Sequence, residues 1–255
     1  MTALVEDGTL AVGLLLILFA ALEFGYWAGG REARGAHPVA GGQIGTIQGA
    51  VLGLLGLLLA FSFAAAATRF IERQDLITQE ANAIGTAYLR ADLLEPPQRA
   101  ELRAALRRYT EHRVTASRRL SAVPHPDVLA EVERLHADIW RAASAGVVAR
   151  PAVTVAVLDP VNEVIGLHTT RLAAGRKHLP LPVTLLLVTC SMLAIGVIGY
   201  ANGLGSERVS PLAIPLAILI GAALWITIDL DHPRAGLIQL SDAPLADLKL
   251  EPPPS

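Results

Sequence analysis

The stretch Ile44-Gly-Thr-Ile-Gln-Gly-Ala-Val-Leu-Gly-Leu-Leu-Gly-Leu-Leu-Leu-Ala-Phe-Ser-Phe-Ala-Ala-Ala-Ala67 decides the fold. It runs 24 residues without a charged side chain, and a bilayer core about 30 Å thick is spanned by about 20 apolar residues at helical rise. Three more stretches are long and apolar enough, at about 10–29, 181–201 and 212–230. None alternates apolar and polar residues with the period of a barrel strand, and in lipid a helix satisfies its own backbone. All four are expected to be transmembrane helices. The composition agrees, because 53% hydrophobic and 17% charged residues with a mean hydropathy of +0.47 are too apolar for an ordinary soluble domain of 255 residues. The expected fold class is all-α and integral to a membrane.

Charge is segregated along the chain. Of the 21 Lys and Arg, 16 lie between Arg69 and Lys177, although the formal net charge is only -2. Residues 69–178 are expected to form an aqueous helical region between the second and third spans, with a C-terminal tail at 231–255. Leu76, Ile77, Ile84 and Leu94 follow Arg69 with only Gly85 interrupting before Pro96-Pro97, so the second span should continue into water as one long helix. The next helix starts near Pro97 and sets Leu102, Leu106 and Tyr109 opposite Arg99, Arg103 and Arg107. Pro124 and Pro126 punctuate, and Asp127 can cap a helix containing Val128, Val132, Leu135 and Trp140. Asp159-Pro160 reads as an N-cap followed by proline at the first helical position, starting a helix with Val164, Ile165 and Leu167. Asn202-Gly-Leu-Gly-Ser-Glu-Arg208 makes the third and fourth spans an antiparallel hairpin.

Basic residues near the span ends set the orientation. Arg69, Arg73, Arg171, Arg176, Lys177 and Arg234 flank one side, against Arg31, Arg34 and Arg208 on the other. The helical region and both termini are expected in the cytoplasm. The N-terminal Met-Thr-Ala-Leu-Val-Glu-Asp lacks the basic flank of a secretory signal, so the first apolar run is read as a permanent span. Cys190 is the lone cysteine and forms no intrachain disulfide.

No metalloprotease, serine-hydrolase, dinucleotide or P-loop motif is present, and none of the seven His pairs with another ligand at helical spacing. The chain is not read as an enzyme; no cofactor or metal is expected, and nucleic acid is not an expected partner. In the second span Gly45, Gly49 and Gly53 recur every fourth residue, continued by Gly56, Ala60 and Ala64. Small residues let helices approach closely in lipid, so this helix either packs tightly in a bundle or lines a pore. Glu23 lies within the first span, and Gln48 falls at a similar depth in the second. An intramembrane carboxylate is a functional candidate by default, but Glu23 stands beside Tyr26 and Trp27 of an interfacial belt, where it can snorkel or hydrogen-bond Gln48. The arginines at 99, 103, 107, 108, 113, 118 and 119 make a face that either gathers anions, meets anionic headgroups, or is simply solvated, with Glu101 and Glu111 as helical partners.

The run Leu57-Leu-Leu-Ala-Phe-Ser-Phe-Ala-Ala-Ala-Ala-Thr-Arg-Phe-Ile-Glu72, then Glu80-Ala-Asn-Ala-Ile-Gly-Thr86, Asp159-Pro-Val-Asn-Glu163 and Asp229-Leu-Asp-His-Pro-Arg-Ala-Gly-Leu-Ile-Gln-Leu-Ser-Asp-Ala-Pro-Leu245, resembles the bestrophin-like family of bacterial membrane proteins. Arg69, Glu72, Asn82, Asp229 and Asp231 are the motif residues this resemblance singles out. More remotely the chain is similar to the bestrophin ion channels, and that similarity implies a homopentamer in the bacterial inner membrane. In those channels a Phe on the second segment precedes an Arg by eight positions, as Phe61 precedes Arg69 here. The resemblance thus places a hydrophobic pore neck at Leu57, Phe61 and Gly53. Three departures stand out, one being that Phe70-Ile71 replaces the aromatic Trp pair that follows the Arg in those channels. Gly53 replaces a bulky residue and widens that layer, and the acidic calcium cluster of the animal channels is reduced to Asp229 and Asp231, too few oxygens for calcium.

Three functions follow from these readings. A homo-oligomeric channel for inorganic ions, anions among them, uses the second helix as its lining and membrane lipid as its surroundings. A non-conducting scaffold or sensor binds a partner through the cytoplasmic helices. A small transporter with Glu23 as proton site ranks last, since the spans lack the repeats and broken helices usual in transporters.

Overall fold

A backbone amide in hydrocarbon must bond within its own segment, and the four apolar runs do so as helices. The computed structural model describes residues 2–34, 41–118, 126–205, 212–233 and 236–250. Its helices are α1 (Thr2–Glu32), α2 (Gly41–Arg90), α3 (Pro96–Arg118), α4 (Pro126–Ala149), α5 (Thr154–Gly175), α6 (Leu181–Leu204), α7 (Ala213–Asp231) and the single turn α8 (Ala243–Ala246). The four helices long and apolar enough to cross a membrane are Gly8–Glu32, Gln43–Leu93, Leu181–Leu204 and Ala213–Asp231, so each expected span falls on one of them. Arg119, Pro124, Arg208, Pro211, Arg234 and Pro252 to Pro254 lie outside the described residues, as does the Arg118 side chain.

Two compact units divide the chain. The first comprises residues 1–68 and 178–238, and its core joins Leu14, Leu18 and Leu22 of α1, Leu55 of α2, Leu187, Ile195 and Ile198 of α6, and Ala217, Ile220 and Leu224 of α7. Close approach is made by α1 and α6. A Cβ on Gly25 would overlap the Gly196 carbonyl, one on Gly29 the Tyr200 carbonyl, and one on Gly199 the Leu22 carbonyl. Backbone meets backbone along this seam, the arrangement that packing in lipid rewards. By contrast a Cβ at Gly45, Gly49, Gly53 or Gly56 of α2 would meet nothing within 4 Å. The stripe that stands out in the sequence is therefore not the stripe that packs within the chain. Buried hydroxyls stay within their helices, Ser191 donating to the Leu187 carbonyl at 2.7 Å and Thr227 to the Ala223 carbonyl at 2.7 Å. Near the C-terminal end of α1, Phe24 and Trp27 are exposed and Arg31 lies over the Trp27 ring at 5.5 Å, a belt suited to a headgroup layer.

The second unit comprises residues 69–177 and 239–255. Ile77, Ile84 and Tyr88 of α2, Leu102, Leu106 and Tyr109 of α3, Val132, Leu135 and Ile139 of α4, and Val157, Val161 and Val164 of α5 share one core. The chain after the fourth span is part of it. Leu245 is buried there, with Leu240, Leu248 and Leu250 packed alongside, and the Gln74 amide clasps Ser241 in both directions at 2.9 and 2.8 Å.

One expectation is corrected here. α5 does not begin at Asp159 but at Thr154, after a 3₁₀ turn at Pro151–Val153, and Pro160 lies buried inside it. A proline inside a helix leaves the carbonyl four residues earlier without its amide; that carbonyl belongs to Ala156, and Arg90 Nη1 donates to it at 2.9 Å. The start signal was real chemistry in the wrong place, because a side chain from α2 replaces the lost bond. The helix expected to contain Val128, Val132, Leu135 and Trp140 is α4, in which 132, 135, 139, 142 and 146 form the buried stripe and Trp140 is exposed. Asp127 stands within the first turn of α4, where its charge suits the helix dipole.

Gly199→Val should drive a branched side chain into the α1 backbone and cost about 1–3 kcal/mol, as overpacking usually does. Gly13→Val on the open side of α1 should stay within about 0.5 kcal/mol. Thermal unfolding of both variants in detergent, beside the wild type, checks the difference.

Candidate functional site

Along α2 one continuous stripe is buried, including Ile44, Leu55, Ser62, Ala66, Arg73, Ile77, Glu80 and Ile84. The opposite side is bare. Leu57 is 54% exposed and Phe61 66% exposed, with Gly53 on the same face one turn before Leu57. Gly53, Leu57 and Phe61, spaced by four, therefore share a face that the described helices of the chain leave uncovered. Glu23 is exposed on α1, and no hydrogen bond joins it to the half-buried Gln48 among the described residues. The structure thus places Glu23 and Gln48 without linking them.

The most heavily charged site lies in the second unit and is centred on Glu80, which is fully buried. Tyr109 donates its hydroxyl to Glu80 Oε1 at 2.5 Å, and Arg113 Nε donates to the same oxygen at 3.1 Å. Arg171 donates to Glu80 Oε2 and lies 3.8 Å from Asp242. One carboxylate ties three helices, α2, α3 and α5, and Arg171 extends the cluster to Asp242 in the chain just before α8. A buried ion with fewer partners would be expensive; here both oxygens are bonded. Beside it three histidines from three helices come together. His136 lies 5.1 Å from Tyr109 and 5.1 Å from His168, ring centre to ring centre. Buried nitrogens of His112, His136 and His168 have no hydrogen-bond partner. Burial, then the nearby Arg113 charge, pushes His136 down to about 4 and, with His136 and His112 adding to it, His168 down to about 3. The same burial pushes Tyr109 up to about 12, with Arg113 opposing.

The arginines of α3 are largely engaged away from their own helix. Arg103 meets Asp92 at 2.8 Å and stacks over Tyr88 at 4.5 Å, Arg108 lies 3.8 Å from Asp138, and Arg107 reaches the Tyr88 hydroxyl at 3.4 Å. These partners, rather than the expected Glu101 and Glu111, come from neighbouring elements. Arg73 likewise turns inward, donating to the Ala174 and Lys177 carbonyls at the end of α5.

Of the other motif residues, Glu72 and Asn82 are exposed and Arg69 is half-buried. Asp229 and Asp231 are buried, each for a local reason. Asp229 accepts from Leu237 N at 3.0 Å and Ile238 N at 2.8 Å, folding the chain back where Gly236 leaves room for the carboxylate. Asp231 accepts from Leu179 N at 2.7 Å. A calcium site needs six to eight oxygens, and with both Asp229 oxygens bonded to backbone amides these residues do not fit one. Glu80 and the histidines were missed in the sequence. An acid on the buried stripe of α2 was visible there, but its partners lie 29 to 91 residues away.

The family model of the Bestrophin-like domain matches residues 12–245. No curated protein and no solved structure matches the chain.

Glu80→Gln should leave Arg113 and Arg171 short of a counter-charge and cost about 3–5 kcal/mol, as breaking a buried pair does, read by thermal unfolding. His136 and His168 are held neutral in the fold, whereas in the unfolded chain they take a proton near about 6.5. The unfolded state therefore binds more protons below that pH, so stability should fall as pH drops from about 6.5 toward about 4. Unfolding temperatures between pH 7 and pH 5 should show this slope, and His168→Leu should flatten it.

Proposed function

The chain belongs to the bestrophin-like family, and from that premise we propose that it is a homopentameric channel for inorganic ions whose α2 helices line the pore. The observation that carries this reading is the uncovered face of α2. Gly53, Leu57 and Phe61 stand on it at four-residue spacing, while the opposite face supplies both hydrophobic cores. Copies arranged around an axis would bring these faces together as rings. A ring of Leu57 and Phe61 excludes water and gates by dewetting, and Gly53 widens the layer beside it. Such a neck chooses no sign of charge. Because most α3 arginines are engaged by neighbouring groups, anion selectivity is not set by a free basic helix.

The proposed setting is the bacterial inner membrane, with both termini and the second unit in the cytoplasm. Arg69, Arg176 and Lys177 against Arg31 and Arg34 support that orientation, although Arg73 and Arg171 spend their charge inside the protein. A non-conducting scaffold is favoured by one feature, the wholly apolar neck face. The two readings part on flux.

The detergent-solubilised complex should weigh five times the 26.9 kDa chain by native mass spectrometry; a monomer sinks the pore. In liposomes, Leu57→Ala with Phe61→Ala should raise ion flux several-fold over wild type. An intact ring that passes no ions in either form supports the scaffold instead.

A further inference from the structure

Where α6 begins and α7 ends, within the first unit, three side chains of metal-ligand chemistry converge: His178, Asp231 and His232. One ligand atom from each lies within 4.8 Å of the others. The two imidazoles are stacked, ring centres 4.6 Å apart and planes 9° from parallel. We propose that these three residues form a binding site for a divalent transition metal of the zinc class.

The hydrogen bonds around the cluster prepare it for that role. His178 Nδ1 lies 2.9 Å from the Asp231 carbonyl and His232 Nδ1 lies 3.1 Å from the Ile228 carbonyl. A carbonyl oxygen only accepts, so each Nδ1 carries the hydrogen and each Nε2 keeps its lone pair, the form in which imidazole binds a metal; it is His178 Nδ1 that faces Asp231 Oδ2, at 3.6 Å, so that ring must turn to offer Nε2. Asp231 is buried and oriented by the Leu179 amide. All three ligands are thus held by backbone groups, as metal ligands commonly are.

Zinc takes nitrogen at about 2.0–2.1 Å and carboxylate oxygen at about 2.0–2.2 Å, so the ligand atoms must draw somewhat closer than 4.8 Å. The two histidines are exposed, so water can replace the carbonyl bond of each as the rings turn toward the ion. Two imidazoles and one carboxylate suit zinc, nickel or copper, and leave the fourth position to water. Magnesium and calcium, which want oxygens, fit poorly. Because His178 precedes α6 and His232 follows α7, a bound ion would clamp the open end of this hairpin. The site is independent of whether the protein conducts.

Full-length protein in detergent, stripped with a chelator and titrated with zinc, should bind about one ion per chain and unfold at a higher temperature. The paired substitution His178→Gln and His232→Gln should weaken binding at least tenfold and abolish the shift, with the metal-free unfolding temperature unchanged because both rings are exposed. Cobalt loaded in place of zinc should give the visible absorption of a low-coordinate site, lost in the same variant; His232→Gln alone serves if the pair folds poorly. Calcium and magnesium should give no shift. Zinc binding of undiminished strength in the variants would assign the ion to other histidines and overturn the proposal, as would a wild-type protein that neither binds nor shifts.

Discussion

Gly41–Arg90 is one helix of 50 residues, about 75 Å at helical rise, against a hydrocarbon core of about 30 Å. Past its first turn a helix bonds each amide inside the segment, so the same backbone is tolerable in lipid and in water. What changes along its length is the side chains of the buried stripe. Leu55 and Ala66 serve where only packing is available, and Arg73, Ile77, Glu80 and Ile84 where charges can be placed. Both cores depend on this helix staying whole, because Leu55 belongs to one and Ile77, Ile84 and Tyr88 to the other.

The two units are held by different physics. The first has no hydrophobic drive between its helices in lipid and relies on the backbone contact of α1 with α6, where glycines remove the side chains that would keep the helices apart. The second has an ordinary apolar core, with a carboxylate enclosed in it. Glu80 joins Tyr109, Arg113 and Arg171, and a buried cluster of this kind is often no more stabilising than apolar residues of the same volume. What it specifies is register. A slip of α3 or α5 by one turn would strand a charge, so one arrangement of the helices is singled out from many of similar apolar burial.

The same logic explains why the candidate sites were unevenly legible. Gly53, Leu57 and Phe61 share a face because they are four residues apart, which is local geometry. Glycines at 25, 29, 199 and 203 carry the same small-residue spacing as those at 45, 49 and 53, and only contact tells which set packs. His112, His136 and His168 sit on three helices and were read as scattered; nothing in the spacing of any one helix could have joined them. Asp159-Pro160 was misread as a helix start because its cost falls on the Ala156 carbonyl, and the donor that relieves it, Arg90, is 66 residues away.

The amino-acid sequence by itself determined the four apolar helices, the helical class, the continuity of α2 and the shared face of Gly53, Leu57 and Phe61. Each depends on length, composition or a repeat within a single segment, and lipid leaves few other solutions for such a segment. Tertiary structure alone decided which glycines touch, which arginines are neutralised, that Glu80 sits among arginines, and that His178 and His232 meet at Asp231. Those are contacts between residues far apart in the chain, and a carboxylate has no way to record in its own neighbourhood which distant arginine will answer it.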